Sequence, residues 1–382
     1  MAEGIEPIEK YFMKKEKRII PEGKTEIAPT ELLKSTTSWP PGERPIETLS
    51  EAAEVLREAD GISTEMFDTL ITEADSPEKI QEVIGELNSF LELREAEMAK
   101  PLEKARDSLG QETPGTNTFY FLHLRERGRE IKTIYKPSSG EKEGPTESQG
   151  LRPGIPRGSY FKRDWLTYMV DRAVGMGVVP TTVMRREKGG IGSVQKWIEG
   201  AKTLLEDSTR KINEEDEIKI AVLDAITGQQ DRHKGNYVVA EDGRGEAIDN
   251  GLSFGPSIKT LHRGEVTESL SALETFSGPL ERAKEIDPRI HARVIKKVES
   301  FTKSTRRQEV LKKAFDFALG KDADEIWQAF LEKVFTISGE KRLPVDYSQV
   351  DALSKIKFSL GEEAKGAVEM AEEKAEEERA AA

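Results

Sequence analysis

Cysteine is absent from the 382 residues, which excludes disulfides, thiolate metal sites, a cysteine nucleophile and palmitoyl attachment. Long apolar runs are absent as well. None approaches the roughly 18 residues that a membrane span needs, and the charged N-terminus lacks the apolar centre of a signal peptide. The expectation is a globular chain with no transmembrane segment and cytoplasmic residence. Histidine is scarce. Of the four, His123, His262 and His291 are scattered away from the main acidic cluster, which argues against hydrolysis by a metal pair. An excess of positive charge is missing too. The formal net charge of −13 disfavours an unassisted grip on nucleic-acid backbones or anionic membranes, so no nucleic-acid partner is expected. Neither a GxGxxG pattern nor a Walker lysine pattern occurs.

The hydrophobic share of 36% is enough for a core, and the pattern along the chain divides into five parts. Residues 1–47 read as an irregular arm broken at Pro40-Pro41-Gly42. Residues 48–109 read as a small helical module. Ser50 caps a helix through about Ala59, and Ser76-Pro77 opens a longer one with the stripe Ile80, Val83, Ile84, Leu87, Phe90, Leu91 and Arg94. From 110 to 200 the pattern turns to alternation. Thr118, Tyr120, Leu122 and Leu124 share one face, and Ile131, Thr133 and Tyr135 continue a second strand that ends at Lys136.

Residues 138–158 are polar and glycine-rich, and read as a loop outside any core. A helix over Tyr160 to Val174, stopped by Gly175 and Gly177, is followed by strands around Val178 to Met184 and Ser193 to Ile198. The part from 201 to 345 is largely helical. Asp287-Pro288 marks a helix start, Gly320 a stop, and Ile326, Phe330, Val334 and Phe335 a later apolar face. Residues 346–382 form an acidic helical tail. Its last 22 residues hold eight Glu against three Lys or Arg, which suits either a solvated face or a docking segment.

The densest chemistry lies between residues 221 and 255, AVLDAITGQQDRHKGNYVVAEDGRGEAIDNGLSFG. Tyr237 to Ala240 is β-prone, Glu241 to Gly245 is turn chemistry, and Glu246 to Asp249 returns as a second strand, so a hairpin brings Asp249 beside Asn236. An Asn and an Asp meeting at the open end of a hairpin supply oxygen ligands for a hard cation, and Asp231 reaches the same space from the preceding loop. A turn Asp satisfying backbone amides is the ordinary reading of an isolated Asp-Arg pair; here it stands within an ordered set.

The order IYKPSSGE, YFKRDWLTYMVDR, VQKWIEG, DRHKGN and AIDNG resembles the phosphatidylinositol 3- and 4-kinase-related superfamily, a branch of the protein-kinase-like fold, and especially its small prokaryotic members and the type II lipid kinases. The likeness covers roughly residues 110 to 335. It implies an α+β, two-lobed protein-kinase-like fold with a small β-rich N-lobe, a helical C-lobe and an N-terminal helical extension. It also implies ATP and magnesium, or manganese, as cofactors.

Within the resemblance, Asp231 is the catalytic carboxylate, with His233 orienting it or facing developing charge, and Asn236 and Asp249 are the metal ligands. Lys136 contacts the nucleotide phosphates. Asp164 takes the place usually held by a Glu, one methylene shorter, and either pairs with Lys136 or decorates a helix surface. Backbone groups of Trp197 and Ile198 receive the adenine edge. The loop near Gly110 and Gly115 is either a phosphate cover or an ordinary turn. Transfer of the γ-phosphoryl group to a hydroxyl of a lipid or a protein is the leading expectation. AMP transfer with reversed nucleotide binding and a nucleotide-sensing scaffold remain the alternatives.

Overall fold

A computed structural model describes residues 49–104, 117–126, 128–141, 155–229, 231–255 and 288–340, all within the unit Pro45–Ala382. The arm at 1–47, the loop around Gly110 and Gly115, the middle of the 138–158 loop and the acidic tail lie outside the described residues.

Two helices come first: α1, Leu49–Thr72, and α2, Pro77–Glu95. The expected stop near Ala59 does not occur. Ala52, Ala59, Ile62, Met66 and Phe67 are all buried at helical spacing, so the apolar stripe carries α1 through Gly61 for three further turns. Ser76 caps α2 by accepting from Lys79 N at 3.3 Å, with Pro77 in the first turn.

An antiparallel sheet of six strands follows. Short β1, Glu97–Met98, and β2, Glu103–Lys104, both pair with β3, Tyr120–Glu126. The path then runs through β4, Arg129–Pro137, to β6, Gly190–Lys196, and ends at β5, Thr182–Glu187. Several of these bounds differ from the sequence expectation. The segment Val178 to Thr181 precedes β5, because Pro180 lacks the N–H that a ladder needs, and Trp197 and Ile198 lie beyond the end of β6. Lys136 is not the last residue of β4; it pairs with Ser193 and is followed in the ladder by Pro137 opposite Gly192.

The pairing puts Leu122, Leu124, Thr133, Tyr135, Val183 and Val194 on one face, all fully buried. Helix α2 covers that face. Arg185 Nη1 donates to the carbonyls of Leu93, Arg94 and Ala96 at 2.6, 3.1 and 2.9 Å, satisfying the open end of α2, and Lys196 Nζ donates to Ser89 Oγ at 3.1 Å. The other face carries Phe121, Ile134, Lys136 and Ser193, and α3, Tyr160–Val174, packs against its β5 and β6 side. Gly175 ends α3 in the left-handed conformation at φ 81°.

A second, small sheet joins β7, Lys202–Thr203, to the hairpin of β8, Tyr237–Val239, and β9, Gly245–Ala247. Between them runs α4, Glu214–Thr227. The sequence reading omitted it, although Asn213 at the cap, four acidic residues in the first turn and Gly228 at the end all announce it. The remaining described residues are helical: α5, Pro288–Lys303, α6, Thr305–Leu319, and α7, Ala323–Glu340. Helix α6 packs on both α1 and α3, so the first two helices are part of one core with the rest. Ile326, Phe330 and Val334 are buried in α7 as expected, but Phe335 is 49% exposed, one position round from the buried stripe.

The architecture is α+β, an antiparallel sheet followed by a helical C-terminal part. No helix among the described residues is long and apolar enough to cross a membrane.

Candidate functional site

Three segments converge where α3, the end of β4 and the β8–β9 hairpin meet. Lys136 Nζ lies 3.1 Å from Asp164 Oδ2 and 2.9 Å from Asp249 Oδ1, and is shared between them. Asp164 is buried and fully engaged. Its Oδ1 accepts from Asn250 N at 2.8 Å, and its Oδ2 also accepts from Ser193 Oγ at 3.2 Å. A one-methylene-shorter acid therefore still meets the lysine. Gly192 makes room for this. A Cβ there would stand 2.2 Å from Lys136 O and 2.7 Å from Pro137 Cα, so any side chain would push the Lys136 strand away.

The charges set one another. Burial alone favours the neutral amine of Lys136, but the nearby carboxylates of Asp164 and then Asp249 win and raise the ammonium above its ordinary value. Burial pushes the Asp164 carboxyl up, with Lys136 opposing it. Lys136 holds the Asp249 carboxyl below the usual carboxylate range.

Asp249 sits just past β9 with φ 55°, a left-handed conformation that Asp tolerates better than most residues but that costs about 1–2 kcal/mol. Buried Gln229 supports it by donating from Nε2 to Asp249 O at 3.1 Å while its Oε1 accepts from Asp231 N at 3.1 Å. One amide thus ties the Asp231 loop to the Asp249 turn. Further on, Phe254 is fully buried, again at positive φ, edge-to-face with Phe315 at 5.2 Å, and anchors the outgoing chain on α6.

Asp231, His233 and Asn236 form a tight loop. Asn236 Nδ2 donates to Asp231 O at 2.7 Å, and Ile248 N donates to Asn236 O at 3.1 Å, so the hairpin brings Asn236 beside the segment that carries Asp249. His233 Nδ1 accepts from Gly235 N at 3.0 Å, which leaves Nε2 facing Asp231 Oδ2 at 3.9 Å. Gly235 permits the fold-back, since a Cβ there would meet His233 Cε1 at 2.8 Å. Burial, and then the charge of Asp249, push the Asp231 carboxyl up to about 6.

Arg232, fully buried, joins α4, the Asn236 loop and the Asn250 turn. Its Nε and Nη2 each meet Asp224 of α4 at 3.0 Å, Nη1 donates to Asn236 O at 2.8 Å and to Ile248 O at 2.5 Å, and Nη2 reaches Asn250 Oδ1. Sequence reasoning left Arg232 without a role and missed Asp224 and the bridging function of Gln229. The polar residues inside the otherwise apolar run AVLDAIT were the available signal for Asp224.

Trp197 and Ile198 stand just past the end of β6, away from this cluster. Trp197 N donates to Lys132 O at 3.1 Å, and its ring lies 4.1 Å from the Lys132 ammonium and edge-on to Phe121. Ile198 O accepts from Ala201 N, and Ile198 N–H has no backbone acceptor among the described residues.

The donor set suits a hard cation in one specific way. None of the described residues donates to Asn236 Oδ1, Asp249 Oδ2 is likewise without a protein donor among them, and the Asp249 side chain is 51% exposed. Both are oxygen ligands of the kind that a hard cation takes. Among the described residues no group of three or more His, Asp or Glu side chains is placed to hold an ion by protein ligands alone.

No family model matches the chain. It is similar to phosphatidylinositol 4-kinase gamma 4 of Oryza sativa subsp. japonica, 26% identical over 155 residues, which cover 34% of this chain and 27% of that protein. It is also similar to Protein Rv2133c of Mycobacterium tuberculosis, 28% identical over 109 residues, covering 28% of this chain and 36% of that protein. The chain thus spans about a quarter to a third of the curated relatives it matches. The likeness is distant and partial, and kinase-like is the most that it supports.

Proposed function

We propose that the chain is an ATP- and magnesium-dependent phosphotransferase with a two-lobed, protein-kinase-like fold, moving the γ-phosphoryl group to a hydroxyl. The observation that carries the reading is the Lys136 ammonium held between Asp164 and Asp249, with Asp231 and Asn236 locked beside Asp249. An ammonium anchored by a buried acid is a fixed positive point for a nucleotide phosphate. Asp231 is the carboxylate that accepts or orients the acceptor hydroxyl proton; a value pushed up to about 6 leaves it ionised at neutral pH yet basic enough to take a proton. His233 faces it and holds its orientation. Asn236 and Asp249 would hold the magnesium ion, which would supply positive charge against that of the phosphates.

The nucleobase end fits the same frame. Ile198 N–H is the backbone donor left for an adenine edge. The backbone contact of Trp197 with Lys132 lies four residues along β4 from Lys136, about 13 Å at roughly 3.3 Å per residue, a span that suits a nucleotide lying along the strand. Phe121 and Ile134, half-buried on the Lys136 face, supply apolar surface between the two ends. Phosphatidylinositol is the first acceptor to try, because a relative carries it in its name; a protein hydroxyl is the second.

The deciding experiment incubates the protein with magnesium and ATP labelled at the γ or the α phosphate, alone and with phosphatidylinositol vesicles or generic protein acceptors. Label transferred from γ only is the expected result. Label from α reassigns the chain to AMP transfer, and no label despite nucleotide-dependent thermal stabilisation leaves it a nucleotide-sensing scaffold.

Two substitutions separate the binding groups. Lys136→Ala weakens the nucleotide complex about 10- to 100-fold, the value of a hydrogen bond to a charged group, and the chain still folds because Asp164 keeps two donors. Asp249→Asn abolishes the magnesium dependence of binding. Isothermal titration with and without magnesium reads both; unchanged affinity in Lys136→Ala removes that lysine from the site.

A further inference from the structure

Helix α3 does not cap its own N-terminus. Ser159 holds the cap position, but its hydroxyl donates to Pro156 O at 2.6 Å, and no acidic residue lies in the first turn. The first N–H groups of a helix have no partner within it, and leaving one buried costs about 1–3 kcal/mol. The acceptor comes instead from twenty residues earlier. Glu141 Oε1 accepts from Phe161 N at 2.9 Å and Oε2 from Gly158 N at 2.5 Å.

The reading of 138–158 as a polar loop outside any core fails at this residue. Glu141 is only 4% exposed, because backbone N–H groups replace the water that its carboxylate gives up. Burial still pushes its carboxyl up to about 7, and the Asp164 charge adds to the cost of ionising it. Such a group is expensive to keep, and nothing in the proposed chemistry uses it.

Its place in the chain gives it a use. Glu141 stands five residues after Lys136, and Phe161 stands three before Asp164. One side chain therefore joins the outgoing end of the lysine strand to the turn from which the acid projects. Arg163 anchors the same turn on the other side, through Ser253 O at 2.8 Å and Phe254 O, just beyond the Asp249 turn. With both tethers in place, α3 cannot slide along its axis without breaking one of them.

We propose that Glu141 is a positioning residue: by capping α3 from the end of β4, its carboxylate sets where Asp164 meets Lys136, and so aims the ammonium. Only the last step, the aim toward a nucleotide phosphate, rests on the phosphotransferase reading.

Lysine acylation followed by mass spectrometry, on the full chain without nucleotide, reads the Lys136 amine directly. Asp164→Asn sets the scale for a released amine. Glu141→Gln keeps the volume but turns one acceptor oxygen into a donor. Its Lys136 is expected to label about three- to tenfold faster than in the unaltered chain, the equivalent of one ordinary hydrogen bond. Lys132 and Lys196, on the same sheet, keep their rates. Glu141→Asp retains the charge on a shorter stem, gives an intermediate rate, and serves as the second variant should the first fail to fold.

An unchanged Lys136 rate in either folded variant, beside a raised rate in Asp164→Asn, overturns the proposal. So does a rise shared equally by Lys132 and Lys196, which reports general loosening. Magnesium-ATP titration of the same samples keeps the two readings apart: absent binding in the unaltered chain defeats the phosphotransferase, while the labelling result stands by itself.

Discussion

On the proposed phosphotransferase reading, Asp231→Asn is expected to slow phosphoryl transfer by about 10²- to 10⁴-fold, the usual contribution of a positioned base, while nucleotide affinity stays within about twofold. The geometry separates the two effects. The bonds that hold the loop use the backbone of residue 231: its N–H donates to Gln229 Oε1 and its carbonyl accepts from Asn236 Nδ2. Asparagine keeps both. What disappears is a carboxylate facing His233 at 3.9 Å and the acceptor side of the site. Single-turnover transfer from γ-labelled ATP, set beside equilibrium binding, checks the separation; an equal loss in both quantities would remove Asp231 from the base role.

The same variant is expected to be more stable in metal-free buffer at neutral pH. The folded carboxyl is raised from 3.8 to about 6, so the native state binds its proton more tightly than the unfolded chain does. This group's contribution to native stability consequently falls as pH rises from about 4 through about 6. The substituted amide carries no such charge, and the melting-temperature gap between variant and wild type should open over that interval and vanish below it. A residue whose removal slows the reaction and strengthens the fold is held in place for its chemistry.

What could be read from the sequence was what local rules govern. The hairpin that starts at Tyr237, the Gly175 stop of α3 and the Ser76-Pro77 start of α2 each depend on a few adjacent residues, and each begins or ends where the pattern puts it. The encounter of Lys136 with Asp164 had to be taken from a resemblance. It spans 28 positions, and periodicity says nothing about which helix turn faces which strand.

What was not legible depends on partners far along the chain. Glu141 looked like one more charge in a polar loop because its N–H donors stand at and just before the start of a helix well along the chain. Asp224 was missed because its guanidinium partner lies beyond the helix end. The left-handed turn at Asp249 is invisible to strand propensity, which carried the second strand of the hairpin to residue 249, whereas β9 stops at Ala247. The covered back of the sheet escaped for the same reason. Helix α2 shows a stripe, and nothing in that stripe announces that Arg185 and Lys196 will reach for it.

Arg232→Ala is expected to produce the largest loss of stability of any single change in the site, about 3–5 kcal/mol, because it strands the buried Asp224 carboxylate without its partner. It also leaves Asn236 O, Ile248 O and Asn250 Oδ1 short of a donor. Arg232→Lys should recover little, since one ammonium cannot supply a fork reaching α4, the Asn236 loop and the Asn250 turn together. The double substitution Asp224→Leu with Arg232→Met distinguishes an ion pair that merely stabilises from a guanidinium that also aligns the site. Removing both charges lifts the penalty of the stranded acid, so denaturant unfolding should show much of the stability returned. Alignment should not return with it. The two apolar side chains replace neither the guanidinium bond to Asn236 O nor that to Ile248 O, and on the proposed reading the metal-dependent part of nucleotide binding is expected to stay weak in a chain that folds. Full recovery of that binding would show that Asn236 and Asp249 find their places without Arg232, and would reduce this buried cation to a fold stabiliser.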